Sequence, residues 1–155
     1  MRTRRCHSPQ GFTLIELLTV MVLIAILAAI ALPRLREAIY GAQAADILGD
    51  VHAVQVAYSQ YIMDGGTRPL NSEWGGVSPD LVPYLPGGFS FATDLADYRW
   101  VGLSPGASPW GVEMGELRVR PKPDLSAVLV DKLARMANQA MIVKTNDQVR
   151  FYMVP

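Results

Sequence analysis

The chain has 155 residues, which is enough for one globular domain with an appendage. Its 14 basic residues balance its 14 acidic residues, so net charge alone draws it to neither nucleic acid nor a membrane surface. The single cysteine, Cys6, excludes an intrachain disulfide, so packing, a metal or neighbouring subunits must hold the folded part together.

The first eleven residues form a short basic segment. Arg2, Arg4 and Arg5 occur there without any acidic residue, and Ser8-Pro9 disfavours helix just before the segment that follows. Arginines in front of an apolar segment keep that end of a chain in the cytoplasm and place the remainder outside. We therefore interpret residues 1–11 as a leader peptide.

An apolar segment follows, in which Thr13, Glu16 and Thr19 are the only polar residues between Phe12 and Leu32. A helix of about 21 residues is roughly 31 Å long, which matches the hydrocarbon core of a bilayer. An ordinary secretory signal with a small-residue cleavage site at 28–31 is one alternative, but its apolar region is shorter. A simple signal anchor is the other alternative, and neither explains the glutamate.

Glu16 is a carboxylate in a segment that otherwise suits lipid, where an unpaired charge is unfavourable. Cleavage after Gly11 would create a new α-amine at Phe12, one helical turn from Glu16. That amine, or the amine of a neighbouring subunit, would neutralise the carboxylate.

The run Gly11-Phe12-Thr13-Leu14-Ile15-Glu16-Leu17-Leu18 resembles the N-terminal signature of type IV pilins and pseudopilins. The resemblance implies that a prepilin peptidase cleaves after Gly11 and N-methylates Phe12. It also implies that Glu16 sets the register of subunits in the filament, and that Pro33 marks a position where the helix bends or melts in the fibre.

The same resemblance implies the partners and the location. The partners are the prepilin peptidase, identical or related pilin subunits, an inner-membrane assembly platform, and the lipid bilayer before assembly. The location is the inner membrane, with a cytoplasmic N-terminus and an outer head, followed by an extracellular or periplasmic filament.

Residues 12–33 are predicted to form the transmembrane half of a long helix. Residues 34–64 are predicted to continue that helix as an amphipathic stem, which reaches Met63. We expect a kink at Pro33 and a helix stop at Gly65-Gly66. The apolar stripe of the stem is predicted to contain Leu35, Ile39, Ala42, Ile47, Val51, Val54, Tyr58, Tyr61 and Ile62.

Residues 65–155 predict a globular head with a connecting loop, 65–97, and a sheet with a second helix, 98–155. Ser78 and Pro79 are expected to start a short helical turn. The predicted strands are Tyr98–Leu103, Val112–Arg120, Ala140–Lys144 and Gln148–Val154, and the predicted second helix is Leu125–Gln139 with Asp124 as its cap. The fold class is therefore α+β: a long N-terminal helix packed on a small antiparallel sheet of about four strands, with one additional helix.

The residues do not assemble a catalytic motif, so we expect a protein that is not an enzyme and has no cofactor or metal. His7 lies in the leader and His52 on the stem. Three binding hypotheses compete with plainer interpretations, namely solvated turns, a solvated strand face and ordinary packing. The residues concerned are Asp80, Asp94 and Asp97 for calcium, Arg118 and Arg120 for DNA or acidic partners, and Trp74, Trp100 and Trp110 for surface adhesion.

The sequence thus predicts a structural subunit of a type IV pilus-like filament. A pseudopilin of a type II secretion or DNA-uptake system remains an alternative, which the absence of a C-terminal cysteine pair favours slightly. An alternative from a different class is a single-pass, membrane-anchored binding domain that does not polymerise. Partnership with nucleic acid is not predicted.

Overall fold

One long helix precedes a four-stranded sheet, and a second helix lies along the chain between the second and third strands. This order confirms the predicted α+β class. The computed structural model describes residues 11–108, 114–122, 126–137, 142–145 and 147–153. The elements are α1 (Leu14–Met63), a 3₁₀ turn (Val82–Tyr84), β1 (Ala96–Leu103), β2 (Met114–Pro121), α2 (Ser126–Met136), β3 (Ile142–Lys144) and β4 (Val149–Met153). Contacts divide the chain into two units, Met1–Ala38 and Ile39–Pro155.

The first unit contains the apolar half of α1, and almost all of its described side chains are exposed. Helix α1 is long and apolar enough to cross a membrane, a test that a signal sequence near an N-terminus also meets. It begins at Leu14, two residues later than predicted, because Thr13 is the capping residue. The helical assignment continues through Pro33, at an exposed position, without an interruption.

Two glycines end α1 by a Schellman motif. Gly65 adopts a left-handed φ of 86°, and its N–H donates to Ile62 O at 3.0 Å. The N–H of Gly66 donates to Tyr61 O, also at 3.0 Å. These two bonds satisfy carbonyls of the last turn, so the predicted stop at this pair is confirmed.

The sheet of the second unit has the order β1-β2-β4-β3, and every neighbouring pair is antiparallel. Helix α2 connects β2 to the edge strand β3, and β4 then returns between them. All four predicted strands and the second helix occur, with changed ends. The predicted positions 109–113, 123–125 and 138–141, which include Trp110 and the Asp124 cap, lie outside the described residues, as do Cys6 and His7.

The core of the second unit lies between the sheet and the apolar stripe of α1. That stripe has alternating three- and four-residue spacing and consists of Ala44, Ile47, Val51, Val54 and Tyr58. Facing it are Tyr98, Trp100, Leu117, Val119, Val149 and Phe151, and α2 adds Leu129 and Leu133. The stripe was predicted to begin earlier, but Leu35, Ile39 and Ala42 are exposed, because burial of the helix begins only at Ala44.

Two contacts join α1 closely to β1 within this core. The Tyr58 and Trp100 rings lie 5.0 Å apart, and the Tyr98 hydroxyl donates to Asp50 Oδ2 at 2.6 Å. Burial, followed by this hydrogen bond, raises the pKa of Tyr98 far above its ordinary value. Trp100 packs over the backbone of Gly115, where a Cβ would overlap the indole ring.

The connecting segment covers the outer edge of β1. Ser72 N donates to Trp100 O at 3.0 Å, and Trp100 N donates back to Ser72 Oγ at 2.9 Å. Gly75 N likewise donates to Tyr98 O at 2.9 Å. The edge strand is therefore not a free template for pairing with another chain along this stretch.

The predicted helical turn in the connecting segment is smaller than expected. It covers only Val82–Tyr84, its capping position is Leu81, and no side chain caps it. The prediction of Ser78 as cap and Pro79 as first residue is wrong, because residues 78–81 form a separate turn in which Leu81 N donates to Ser78 O. The proline near the start of the 3₁₀ turn is Pro83.

Candidate functional site

The start of α1 is a capping box formed by Thr13 and Glu16. The Thr13 N–H and the Thr13 hydroxyl both donate to Glu16 Oε2 at 2.8 Å, and Glu16 N donates to Thr13 Oγ1 at 3.3 Å. These bonds satisfy backbone donors that the first turn of a helix otherwise leaves unpaired. The negative carboxylate also lies at the positive end of the helix dipole.

Each of the three polar side chains in the apolar segment has a partner within the helix. Besides Thr13 and Glu16, the Thr19 hydroxyl donates to Ile15 O at 2.8 Å. Polar groups in lipid are costly unless they are hydrogen bonded, and water is absent from the hydrocarbon core. The segment can therefore enter a bilayer with all three hydroxyl and carboxylate groups bonded.

Both hydrogen bonds to the Glu16 carboxylate end on Oε2. Among the described residues none donates to Oε1. A cation arriving at the helix start would therefore find an acceptor without first displacing Thr13. The backbone N of Phe12 belongs to the residue directly before Thr13, so an amine created there arises beside this carboxylate.

Gly11 is exposed and lies outside the helix, shortly before the capping box. It is absent from the glycines with positive φ, and a Cβ built on it meets no described atom within 4 Å. Among the described residues, nothing therefore requires glycine at position 11. Phe12, the next residue, keeps 83% of its surface exposed.

A continuous apolar surface follows these residues along the first unit. Its large side chains are Leu14, Ile15, Leu17, Leu18, Val20, Met21, Val22, Leu23, Ile24, Ile26, Leu27, Ile30, Leu32 and Leu35. A surface of this size and length suits lipid or other helices of the same kind rather than water. The four predicted site residues, Gly11, Phe12, Glu16 and Pro33, all lie in this unit, and the first three are within two helical turns of each other.

Thr13 is a functional residue that was not predicted, although its signal is present in the sequence. Threonine followed three residues later by glutamate, directly before an apolar run, is the pattern of a capping box. The prediction paired Glu16 only with an α-amine one helical turn away and left out the hydroxyl of Thr13.

Two of the three acidic residues considered for calcium, Asp80 and Asp97, have other partners. Asp80 accepts a hydrogen bond from Leu70 N at 2.8 Å. Lys122 donates to Asp97 Oδ1 at 2.7 Å, and this bond lowers the pKa of the Asp97 carboxyl below its ordinary value, although burial acts in the opposite direction. No group of three or more metal-ligating side chains occurs among the described residues.

Comparison with known proteins agrees with the N-terminal geometry. The family model described as the prokaryotic N-terminal methylation motif matches residues 6–32. Fimbrial protein Q of Moraxella bovis is 34% identical over 124 residues, which cover 80% of this chain and 78% of that protein. No solved structure matches.

Two further relatives are similar over a shorter region. The type IV major alpha-pilin of Moraxella bovis is 39% identical over 67 residues, covering 43% of this chain and 42% of that protein. The type IV major pilin protein PilE1 of Neisseria gonorrhoeae is 36% identical over 70 residues, covering 45% and 33%. The chain belongs to the type IV pilin family.

Proposed function

We propose that this protein is a filament subunit, which prepilin peptidase cleaves after Gly11 and N-methylates at Phe12. The processed subunit then assembles into the filament through the apolar half of α1. The observation that carries the proposal is the capping box at the head of an exposed apolar helix, directly behind an unconstrained glycine. In this view residues 1–11 are removed, residues 12–33 form the assembly segment, and residues 34–64 join that segment to the head.

Cleavage after Gly11 is supported by the accessibility of that peptide. The glycine is exposed, and the described chain offers no conformational or steric reason for it. The presence of glycine at position 11 is explained if the peptidase must approach the backbone closely at this residue. Gly11→Ala should therefore leave folding unchanged and block removal of the leader.

Assembly through Glu16 is supported by the arrangement of its two oxygens. Thr13 occupies Oε2, and Oε1 remains for the α-amine of Phe12 in the same subunit or in the next one. Because lipid tails are as apolar as the helix surface, van der Waals contact and this ion pair would determine the helix register in the filament. Before assembly the same surface would hold the chain in the membrane, with the arginines of the leader in the cytoplasm and the head outside.

The proposal is tested by expressing the chain in cells that contain prepilin peptidase and the assembly platform. Mass spectrometry of the purified protein should show Phe12 at the N-terminus with one added methyl group. Electron microscopy and immunoblotting of sheared filaments should then detect the subunit. Glu16→Gln should be processed and inserted normally but incorporated at a much lower level, whereas the matched Thr19→Val variant should assemble.

Two results would contradict the proposal. Mature protein that retains residues 1–11 in peptidase-containing cells would exclude cleavage at Gly11. A processed chain found only as a monomer in membranes would instead favour the anchored binding domain that does not polymerise.

A further inference from the structure

Three arginines form a straight row across the outer side of the sheet. Arg99 of β1 is the direct partner of Arg118 of β2, and Arg118 is the direct partner of Arg150 of β4. Side chains at one register position point to the same side of a sheet. The next position on each strand, Tyr98 on β1 for example, belongs to the core, so the arginine row points away from it.

Two more cations extend the row into a basic face, which consists of Arg99, Arg118, Arg120, Lys122 and Arg150. Its carboxylates are Asp97, which pairs with Lys122 and Arg120, and Glu116. Five positive groups against two negative groups leave an excess of three positive charges. Like charges at directly opposed positions are destabilising, so this sheet carries a repulsion that a bound anion would relieve.

Glu116 is almost fully buried and orients part of the basic face. Arg118 binds both of its oxygens, with Nε to Oε1 at 2.7 Å and a second nitrogen to Oε2 at 3.3 Å. Arg150 Nε lies 3.6 Å from Oε1, too far for a hydrogen bond, and it has no hydrogen-bond partner among the described residues. One carboxylate thus fixes two guanidinium groups and does not neutralise both.

The arginine side chains of the basic face remain at least partly accessible from outside. Arg99 is half-buried, and its Nε donates to Ser72 O at 3.1 Å, which fixes the position of this guanidinium group. Arg118, Arg150 and Arg120 keep 25%, 31% and 42% of their side chains exposed. Arg120 also lies over the Trp74 ring at 4.4 Å from its centroid, a contact that helps to hold this arginine in place. The basic face is therefore a partly ordered group of cations on a rigid sheet.

We propose that the basic face binds the phosphodiester backbone of nucleic acid. Neighbouring strands are about 4.8 Å apart, so the row spans roughly 10 Å, which is about three axial intervals of ~3.4 Å between successive phosphates of one DNA strand. A stretch of that length offers a phosphate to each of the three arginines. The planar guanidinium fork matches phosphate oxygens better than a lysine ammonium does. This inference concerns the head alone and is independent of how the N-terminal segment is processed.

The sheet of a second copy does not offer a matching row of anions. The four described strands contain only two acidic residues, Asp97 and Glu116, and both already belong to the basic face. A regularly spaced polyanion is therefore a better complement to the row than the sheet of the same protein.

The test uses the full-length chain in a nonionic detergent. Fluorescence anisotropy of labelled single- and double-stranded DNA is measured from about 50 to about 200 mM salt. Three phosphate contacts on duplex DNA give a log–log salt slope of about −2.7, which is roughly a 40-fold loss of affinity over this range. Arg99→Gln/Arg150→Gln leaves one row contact and should reduce that loss to about 3.5-fold, with at least tenfold weaker binding at low salt.

The double variant retains the bond between Arg118 and Glu116, so the buried carboxylate stays paired, and near-UV circular dichroism checks the fold. The matched control is Arg36→Gln/Arg135→Gln, which removes two exposed arginines outside the basic face and should bind like the wild type. Arg99→Lys/Arg150→Lys keeps the charges and should restore most of the salt slope.

Several outcomes would overturn the proposal. One is undetectable DNA binding at about 50 mM salt, and another is an equal loss of DNA affinity in the variant and its control. A third is displacement of the labelled DNA by polygalacturonate as efficiently as by unlabelled DNA at equal charge. Self-association of the wild type that disappears in the variant, without DNA binding, would instead assign the basic face to contacts between subunits.

Discussion

Replacing Tyr98 by phenylalanine tests how firmly α1 is joined to the sheet. The side chain is fully buried, and its hydroxyl donates to Asp50 Oδ2 at 2.6 Å. The substitution keeps the ring, which packs 6.0 Å from that of Phe91, and deletes one hydrogen bond to a charged acceptor. Such bonds contribute about 1.5–3 kcal/mol, and at roughly 4 °C per kcal/mol for a unit of this size the melting temperature should fall by roughly 6–12 °C.

The measurement is thermal unfolding of the mature chain in nonionic detergent, followed by near-UV circular dichroism of the buried aromatic residues. The matched control is Tyr84→Phe, since the Tyr84 hydroxyl donates to Asp64 Oδ2 at 2.9 Å but lies at an exposed position. The control should unfold within experimental error of the wild type. Equal shifts in the two variants, or a shift of less than about 2 °C for Tyr98→Phe, would refute the assignment of the stability to the buried bond.

The same variant has a pH signature with a definite sign. Burial, and then the bond to Asp50, raise the pKa of Tyr98 above its ordinary value of 10.0, so the folded form stays neutral where the unfolded chain ionises. The contribution of Tyr98 to stability is therefore complete below about pH 10 and is lost as the pH rises above it. The melting temperature of Tyr98→Phe should fall less steeply than that of the wild type above this pH.

Three further predictions address the capping box, the sheet and the charged edge. Thr13→Val removes the capping side chain and should speed amide exchange in the first turn of α1 in micelles, while Thr13→Ser should not. Gly115→Ala forces a Cβ into the indole ring of Trp100 and should destabilise the head by about 1–3 kcal/mol in thermal unfolding. The hydrogen bond from Lys122 is the main cause that lowers the pKa of Asp97 in the folded chain. The contribution of Asp97 to the free energy of unfolding is therefore present above about pH 3.8 and is lost as the pH falls through the lower folded pKa. Asp97→Asn should lack this loss of stability on acidification in thermal unfolding.

The long helix and the presence of four strands along the chain were predictable because their signals are local. The apolar run, the pair Gly65-Gly66 and the alternation of Tyr98–Leu103 each report the conformation of their own segment. The first residues of the stem stripe were wrong for the opposite reason. Helical periodicity identifies a face, but only the position of the sheet decides that burial begins at Ala44 and excludes Ile39.

The basic face could not be predicted in full for the same physical reason. Arg118 and Arg120 were noticed because they alternate within one strand. Arg99 and Arg150 join them only through the pairing of β2 with β1 and β4, and this register is a property of contacts between segments distant in sequence. The error at Ser78 is local in origin, since two prolines close together each suit a helix start, and nothing in the sequence ranks Pro83 above Pro79.

The capping box gives Glu16, the lone carboxylate of the apolar segment, a hydrogen-bond partner within its own chain. A glutamate without a partner would oppose membrane insertion, which would make cleavage a condition for stable residence in the bilayer. Because Thr13 donates twice to Glu16 Oε2, the carboxylate is already bonded before an amine exists. In the proposed function, insertion and assembly would therefore use different atoms of one side chain: Oε2 is already hydrogen bonded to Thr13, and Oε1 is left for the amine that the proposed cleavage would create. Thr13 is thus as much a part of the proposed assembly site as Glu16.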